Sequence, residues 1–367
     1  MHPPRISALI LAAGLSSRMG RFKPLLPLSR TTMIQAVISL FRDGGIDDIV
    51  VVTGHNHDRL APVIGAAGAR PLFNPNFQRG MFSSVQHGVA GLARGEGFFL
   101  IPADMPAVRP STLGALSRAF QGDPTRPVIP EFNGKTGHPP LIPSRLRPAI
   151  AKGTDHLRSI LFSEASNPLI LSVHDRGILM DADTPDAFGK VRAKYAARDI
   201  PDPQECQSIL QREIGDNTAL AAHLERVAGV ALTLARAAMT GPLPVELNLD
   251  LIRAGALLHD IKKGVPHHAK AARDFLLEVG LPGPAAVAAG HMDLDPGPAL
   301  DEIQVVYFAD KICRGHRLEL DYPARFHGKA KTHPHAGERI MNRLETARRI
   351  QARIETAAGR SLRSLLQ

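Results

Sequence analysis

The chain has 367 residues and a formal net charge of +9. That length exceeds one ordinary domain of about 150 residues, so two are expected. Two cysteines, Cys206 and Cys313, exclude a disulfide framework and fit a reducing compartment. No apolar run approaches the ~20 residues that cross a bilayer, and no membrane role is expected.

The first apolar run, Ile6–Leu11, has the pattern of a buried strand. It passes directly into Gly14, too soon for the apolar region of a signal peptide, and a cytoplasmic protein is expected. Thr31–Arg42 reads as a helix, Ile49–Val52 as a strand, Ser83–Arg94 as a helix and Phe98–Ile101 as a strand. Val128–Ile129, Leu169–Val173 and Ile178–Met180 are further strand candidates. Continuous rather than alternating apolar strands, separated by helices, indicate a mostly parallel sheet covered on both faces. A Pro-broken linker follows at Ile200-Pro201-Asp202-Pro203. Beyond it only helical periodicity remains, over about 217–239, 248–262, 268–279, 299–314 and 335–357. The fold class is therefore a Rossmann-like α/β domain, residues 1–199, followed by an all-α domain, residues 205–367. The last thirty residues carry seven arginines between Arg339 and Arg363 against Glu338, Glu345 and Glu355. No aromatic residue is interleaved to stack on bases, so this is a solvated helix face and not a nucleic-acid site.

The first strand runs into Leu11-Ala12-Ala13-Gly14-Leu15-Ser16-Ser17-Arg18-Met19-Gly20-Arg21-Phe22-Lys23. In a parallel sheet the first strand–loop–helix turn is a seat for phosphate, where free backbone N–H groups meet an anion. Arg18 can hold a phosphate bidentately and Lys23 supplies a point charge. Such charges suit a transferase acting on a triphosphate, in which negative charge builds on the departing pyrophosphate. Asp104, at the end of Phe98–Ile101, reaches the same edge if the strands are adjacent. A lone carboxylate there suits Mg²⁺, which takes few protein ligands plus waters and substrate phosphates. Asp183 offers a second carboxylate or caps the following helix.

With Thr53-Gly54, Asn74–Ser84, Ala103–Pro106, Gly137-His138-Pro139 and Asp181–Pro185, this stretch resembles the molybdopterin nucleotidyltransferase-like family over nearly all of residues 5–190. The loop Ala12-Ala13-Gly14 is similar to that of the molybdenum cofactor cytidylyltransferases; the guanylyl branch carries Ala-Gly-Gly. The resemblance implies CTP and a molybdopterin-type substrate, attack by the molybdopterin phosphate on the α-phosphorus, and loss of pyrophosphate. It implies Mg²⁺ on Asp104 and Asp183. Leu11, Ala12, Ala13, Gly14, Ser16, Arg18, Lys23, Thr53, Gly54, Gly80, Ser83 and Ser84 would surround the nucleotide. Gly137, His138, Pro139 and Arg158 would face the acceptor. A molybdoenzyme or its chaperone is the partner it points to. One element departs from the family, whose Gly-Asp-x-Gly-x-Arg is here Gly153-Thr154-Asp155-His156-Leu157-Arg158. Other phosphorylated acceptors, such as a sugar or alcohol phosphate, therefore stay open, as does a nucleotide-binding role without catalysis.

In the second half, the stretch 248–262 ends in an apolar segment that carries adjacent His259 and Asp260. Burying an unpartnered Asp costs several kcal/mol, and a bound cation removes the cost. His223 and Asp310 lie in two further helical stretches, and imidazole with carboxylate suits Mn²⁺, Fe²⁺, Co²⁺ or Zn²⁺. The order His223, His259-Asp260, Asp310 resembles the HD superfamily over about 217–314. His268 and His291 lie where some members carry additional metal histidines. The resemblance implies a phosphohydrolase that uses metal-activated water.

Overall fold

Strand β1 (Ile6–Ala12) is buried over all but its first residue. Its alternate side chains pack to opposite faces, Ala8 and Ile10 into one apolar core and Leu9 and Leu11 into another. A strand covered on both faces needs a near-continuous apolar run, which the segment supplies apart from Ser7, whose Oγ donates to Asp48 Oδ2 at 2.6 Å. The computed structural model describes residues 5–154 and 156–367, except 16–18. It divides into two compact units, the second beginning at Asp199.

In the first unit, β2 (Pro27–Leu28) and β3 (Thr31–Thr32) form a small hairpin. There follow α1 (Met33–Asp43), β4 (Ile49–Thr53), α2 (His57–Ala66), β5 (Arg70–Phe73), α3 (Met81–Gly91), β6 (Gly97–Pro102) and α4 (Pro110–Gly122). Next come β7 (Val128–Phe132), β8 (Lys135–Thr136), β9 (Leu141–Pro143), α5 (Arg147–Lys152), α6 (Leu157–Leu161), β10 (Leu169–Ser172) and α7 (Pro185–Ala196). The main sheet has the order β10-β7-β9-β6-β1-β4-β5, with β8 on β7. Because β1 pairs in parallel with both β4 and β6, the carboxyl ends Ala12, Thr53 and Pro102 open on one edge. Strand β9 runs antiparallel between β6 and β7, so the sheet is mostly and not wholly parallel. Helix α1 starts behind a capping box of Thr32 and Gln35, which satisfies two of its free donors.

The strand expected at Ile178–Met180 does not form. Arg176–Leu179 is a 3-10 turn, entered where the Asp175 side chain accepts from Gly177 N. Gly177 and Ile178 are buried by packing, not by strand pairing, and a short apolar run cannot distinguish the two. The turn still positions the edge of the unit, since Ile178 O accepts from His138 N at 2.9 Å.

The second unit is built on α8 (Pro203–Glu213), α9 (Thr218–Thr240), α10 (Leu249–Leu258), α11 (His268–Glu278), α12 (Pro282–Gly290) and α13 (Glu302–Lys311). A hairpin of β11 (Cys313–Arg314) and β12 (Arg317–Leu318) precedes α14 (Tyr322–Thr332), α15 (Gly337–Ala358) and α16 (Leu362–Leu366). Two expectations are corrected here. The stretch 248–262 is helical only to Leu258; His259 is its C-cap, and the chain then turns toward Gly264 (φ +98°) and Pro266, residues that do not continue a helix. The stretch 299–314 ends at Lys311, because the left-handed Gly315 (φ +56°) closes the β11–β12 hairpin. Helix α9 lies at the centre, with Val227, Ala231 and Leu234 in a core shared with α13 and α15.

Two glycines of this unit should respond to alanine with opposite signs. A Cβ at Gly255 would lie 2.7 Å from Val287, whereas Gly229, on the exposed face of α9, has open space. Gly255→Ala is expected to destabilise by about 1–3 kcal/mol through overpacking. Gly229→Ala is expected to stabilise by about 0.5–1 kcal/mol through helix propensity. Thermal unfolding of the two variants checks both, and equal shifts would contradict the packing.

Two candidate active sites

Beyond the carboxyl ends of β1 and β6 lies a cavity of about 420 Å³. Leu11–Leu15, Lys23, Gly80, Met81, Ser84, Pro102–Asp104 and Asp183 line it. Lys23 Nζ donates to Asp183 Oδ1 at 2.6 Å and to Asp104 Oδ2 at 3.1 Å. Burial opposes the charge on Lys23, but the hydrogen bond to Asp183 and the charge of Asp104 hold its pKa above the usual lysine value. Burial and the neighbouring charges of Asp104 and Asp183 raise the pKa of Asp181. Three carboxylates thus gather near the Lys23 ammonium. Such a cluster of carboxylates fits a hard dication, which would take one or two of them and complete its shell from phosphate and water.

A second cavity, about 340 Å³, shares Leu11, Met81 and Pro102 with the first. Its polar lining includes Thr136, His138 and Arg158; its apolar lining includes Phe82, Leu161 and Phe162. Burial depresses the pKa of His138, whose Nδ1 lies 3.3 Å from Leu100 O, so the ring is neutral at pH 7. The Arg158 guanidinium sits 4.5 Å over the Phe162 ring, a contact that orients a cation at little cost.

Of the residues singled out in this half, Leu11, Ala12, Ala13, Gly14, Lys23, Gly80, Ser84, Asp104 and Asp183 line the first cavity, and Gly137, His138 and Arg158 the second. Thr53, Gly54, Ser83 and Pro139 line neither. Thr53 is buried with its Oγ1 2.7 Å from His57 Nδ1. At Gly54 a Cβ would meet Phe77 at 2.6 Å, so the loop can approach Phe77 only as glycine. Ser83 Oγ donates to Gly80 O at 2.8 Å and secures the turn that enters α3. Ser16 and Arg18 lie outside the described residues. Phe77 and Gln78 also line the first cavity; nothing in their residue types marked them apart from the surrounding motif.

In the second unit, His259 and His291 occupy the same local position, the C-caps of α10 and α12. Each ring places Nδ1 near the carbonyl three residues earlier, at 2.8 Å from Ala256 O and 2.7 Å from Ala288 O. His223, on α9, has Nδ1 3.1 Å from Gly315 O. A ring that donates from Nδ1 presents Nε2 as a free ligand. The Nε2 atoms of His223 and His259 lie 3.3 and 3.7 Å from Asp310 Oδ1. Those of His268 and His291 lie 3.4 and 3.7 Å from Asp260 Oδ1.

Two groups of three potential metal ligands result: His223, His259 and Asp310; and Asp260, His268 and His291. The sequence neighbours His259 and Asp260 are divided between them. His259 Nε2 and Asp260 Oδ1 are buried without a hydrogen-bond partner. Atoms of this kind are costly unless a cation satisfies them, and the donor set of imidazole and carboxylate matches a divalent transition metal. Burial and the nearby His259 push the His291 pKa down to about 4, which keeps the ring neutral, as ligation requires. Burial opposes the charge of Asp310, yet Lys311, His223 and His259 hold its pKa far below the usual range.

Residues 8–167 match the MobA-like NTP transferase domain and residues 220–315 the HD domain. The chain is 28% identical over 196 residues to the molybdenum cofactor cytidylyltransferase of Escherichia coli (strain K12), spanning 52% of this chain and 97% of that protein. It is 28% identical over 205 residues to the purine catabolism protein PucB of Bacillus subtilis (strain 168), spanning 52% and 98%. Among solved structures, Rv0371c from Mycobacterium tuberculosis H37Rv aligns at 24% identity and TM-score 0.44, over 52% of this chain and all of that one.

If the histidine–aspartate cluster holds a metal, Mn²⁺ at about 100 times its Kd adds about 2.7 kcal/mol to the folded state. The corresponding rise in the melting temperature is roughly 5–10 °C, and Asp310→Ala should lose most of it. Thermal melts with and without Mn²⁺ check this, together with metal content by mass spectrometry.

Proposed function

We propose that this chain, a MobA-like NTP transferase domain followed by an HD domain, transfers CMP from CTP to the phosphate of a molybdopterin-type cofactor and hydrolyses a phosphoester at a second site. The assigned segments are 1–199 for the transferase and 205–367 for the HD phosphohydrolase, in a cytoplasmic protein. The observation that carries the transferase reading is the pair of adjoining cavities, one holding Lys23 between Asp104 and Asp183 and the other holding His138 and Arg158. Its support from sequence is the loop Ala12-Ala13-Gly14 and the name of the Escherichia coli relative.

The triphosphate occupies the first cavity, and Lys23 turns from its carboxylates to the phosphates. Asp104 and Asp183 would hold Mg²⁺, which offsets phosphate charge and polarises the α-phosphoryl group. The second cavity presents the acceptor with its phosphate toward the shared wall of Leu11, Met81 and Pro102. An acceptor oxygen attacks the α-phosphorus, the bond to the β-bridging oxygen breaks, and pyrophosphate leaves with its electron pair. The main work of the side chains is placement and charge stabilisation. A molybdoenzyme or its chaperone would receive the product.

In the HD domain, His223, His259, Asp310, Asp260, His268 and His291 would hold Mn²⁺, Fe²⁺, Co²⁺ or Zn²⁺, which lowers the pKa of water into the neutral range. Water adds across a P–O bond, and the buried Asp260 and half-buried Asp310 fix the ligand geometry. A second reading of the transferase is favoured by one observation: Gly153–Arg158 departs from the family pattern beside the second cavity, which His156, Leu157 and Arg158 line. The acceptor would then be another phosphorylated compound, such as a sugar or alcohol phosphate.

Pyrophosphate release with Mg²⁺ and molybdenum-loaded molybdopterin, compared for CTP, GTP and ATP, separates these readings. CTP-selective turnover is expected, reduced roughly 100-fold or more in Asp104→Ala. Turnover only with a sugar or alcohol phosphate would support the second reading. Folded protein inactive with every nucleotide and acceptor would leave a binding role.

A further inference from the structure

A cavity of about 540 Å³ adjoins His223 and Asp310 of the histidine–aspartate cluster. Its lining carries six basic side chains, Lys263, Lys311, Arg314, Arg325, Lys329 and Arg343, and one carboxylate, Asp310. Four of the six have acidic partners: Lys263 with Asp260, Lys311 with Asp310, Arg325 with Glu319 and Arg343 with Asp293. Arg314 and Lys329 have no ion pair among the described residues. Burial and the positive charges of Arg325, Arg314 and Lys311 depress the Lys329 pKa, a sign of cations gathered without enough counter-charge.

The placement of these two side chains is built into the unit. Arg314 stands on β11, and the turn of that hairpin provides Gly315 O to His223 and His316 O to Arg226. Lys329 lies one helical turn beyond Arg325 on α14, on the same face. The element that orients a metal-ligand histidine therefore also sets a free guanidinium on the wall of the adjoining cavity.

We propose that Arg314 and Lys329 form a subsite for a second phosphoryl group, so that the substrate of the HD centre is a polyphosphate or nucleoside polyphosphate and not a simple monoester. This inference rests on the phosphohydrolase reading for the first phosphoryl group, at the histidine–aspartate cluster. Hydrolysis adds water across the P–O bond at that cluster, while the further phosphate stays on the two cations. A guanidinium with an ammonium matches adjacent phosphate oxygens, one as a bidentate donor and one as a point charge. Besides His223 of the histidine–aspartate cluster, the described lining holds a single ring, Phe326, against six cations, which favours phosphate chains over single-stranded nucleic acid.

The test is calorimetric titration of inorganic tripolyphosphate and of orthophosphate into chelator-treated full-length protein, with kinetics on the Mn²⁺-loaded protein. Wild type should bind tripolyphosphate more tightly than orthophosphate. Arg314→Ala with Lys329→Ala should weaken tripolyphosphate by roughly tenfold or more, and Arg314→Lys with Lys329→Arg should restore it. On the loaded protein, kcat/KM for CTP should fall further in the alanine pair than kcat/KM for p-nitrophenyl phosphate. Tripolyphosphate affinity unchanged in the folded alanine pair would overturn the subsite. So would tighter binding of a single-stranded oligonucleotide through the same residues. Binding that depends on Arg314 and Lys329, with no hydrolysis of any phosphoester, would keep the subsite and reject only the phosphohydrolase reading.

Discussion

Charge buried or half-buried away from water must be matched, and both sites are organised by that constraint. In the first unit Lys23 stands between Asp104 and Asp183, with Asp181 nearby, so the ammonium and the carboxylates hold one another in place. In the second, Asp260 and Asp310 lie among four imidazoles whose Nε2 atoms converge without full hydrogen bonding. Each arrangement holds its ligand atoms at a cost to stability that a bound cation removes. Such a cost is common where a fold places chemistry.

The two units meet this constraint with different backbones. The parallel pairing of β1 with β4 and β6 brings three strand ends to one edge, where loops of small residues leave a cavity. The side chains that complete it come from distant parts of the chain: Lys23 from the first loop, Asp104 after β6, Asp183 before α7. In the helical unit the equivalent device is the helix end. His259 and His291 are C-caps, and a ring at that position reaches the carbonyl three residues back with Nδ1 and leaves Nε2 directed away. The helix termini thus supply both the acceptor that fixes the tautomer and the residue that ligates.

The basic cavity beside the second site follows from the same bookkeeping of charges. Carboxylates pair with four of its six cations, and the other two, Arg314 and Lys329, stand on the β11–β12 hairpin and on α14. In the first unit a cluster of carboxylates suits a cation; here a cluster of cations suits an anion.

The sequence by itself determined the fold class and singled out most of the polar side chains that line the first two cavities and form the histidine–aspartate cluster. The near-continuous apolar runs at Ile6–Leu11 and Ile49–Val52, alternating with helical segments, fit strands buried on both faces, and His259-Asp260 in an apolar setting is costly without a cation. Composition and periodicity are local, and these signals are local too. The tertiary structure alone decided which ligands share a group, because that depends on side-chain direction across α9, α10, α11, α12 and α13. It divided His259 from Asp260 and joined His268 to His291. It also turned Ile178–Met180 into a buried 3-10 segment, ended the helix before His259, and set Asp181 beside Asp104 and Asp183. Each of these outcomes depends on packing between residues far apart in the chain, for which a run of apolar residues carries no signal.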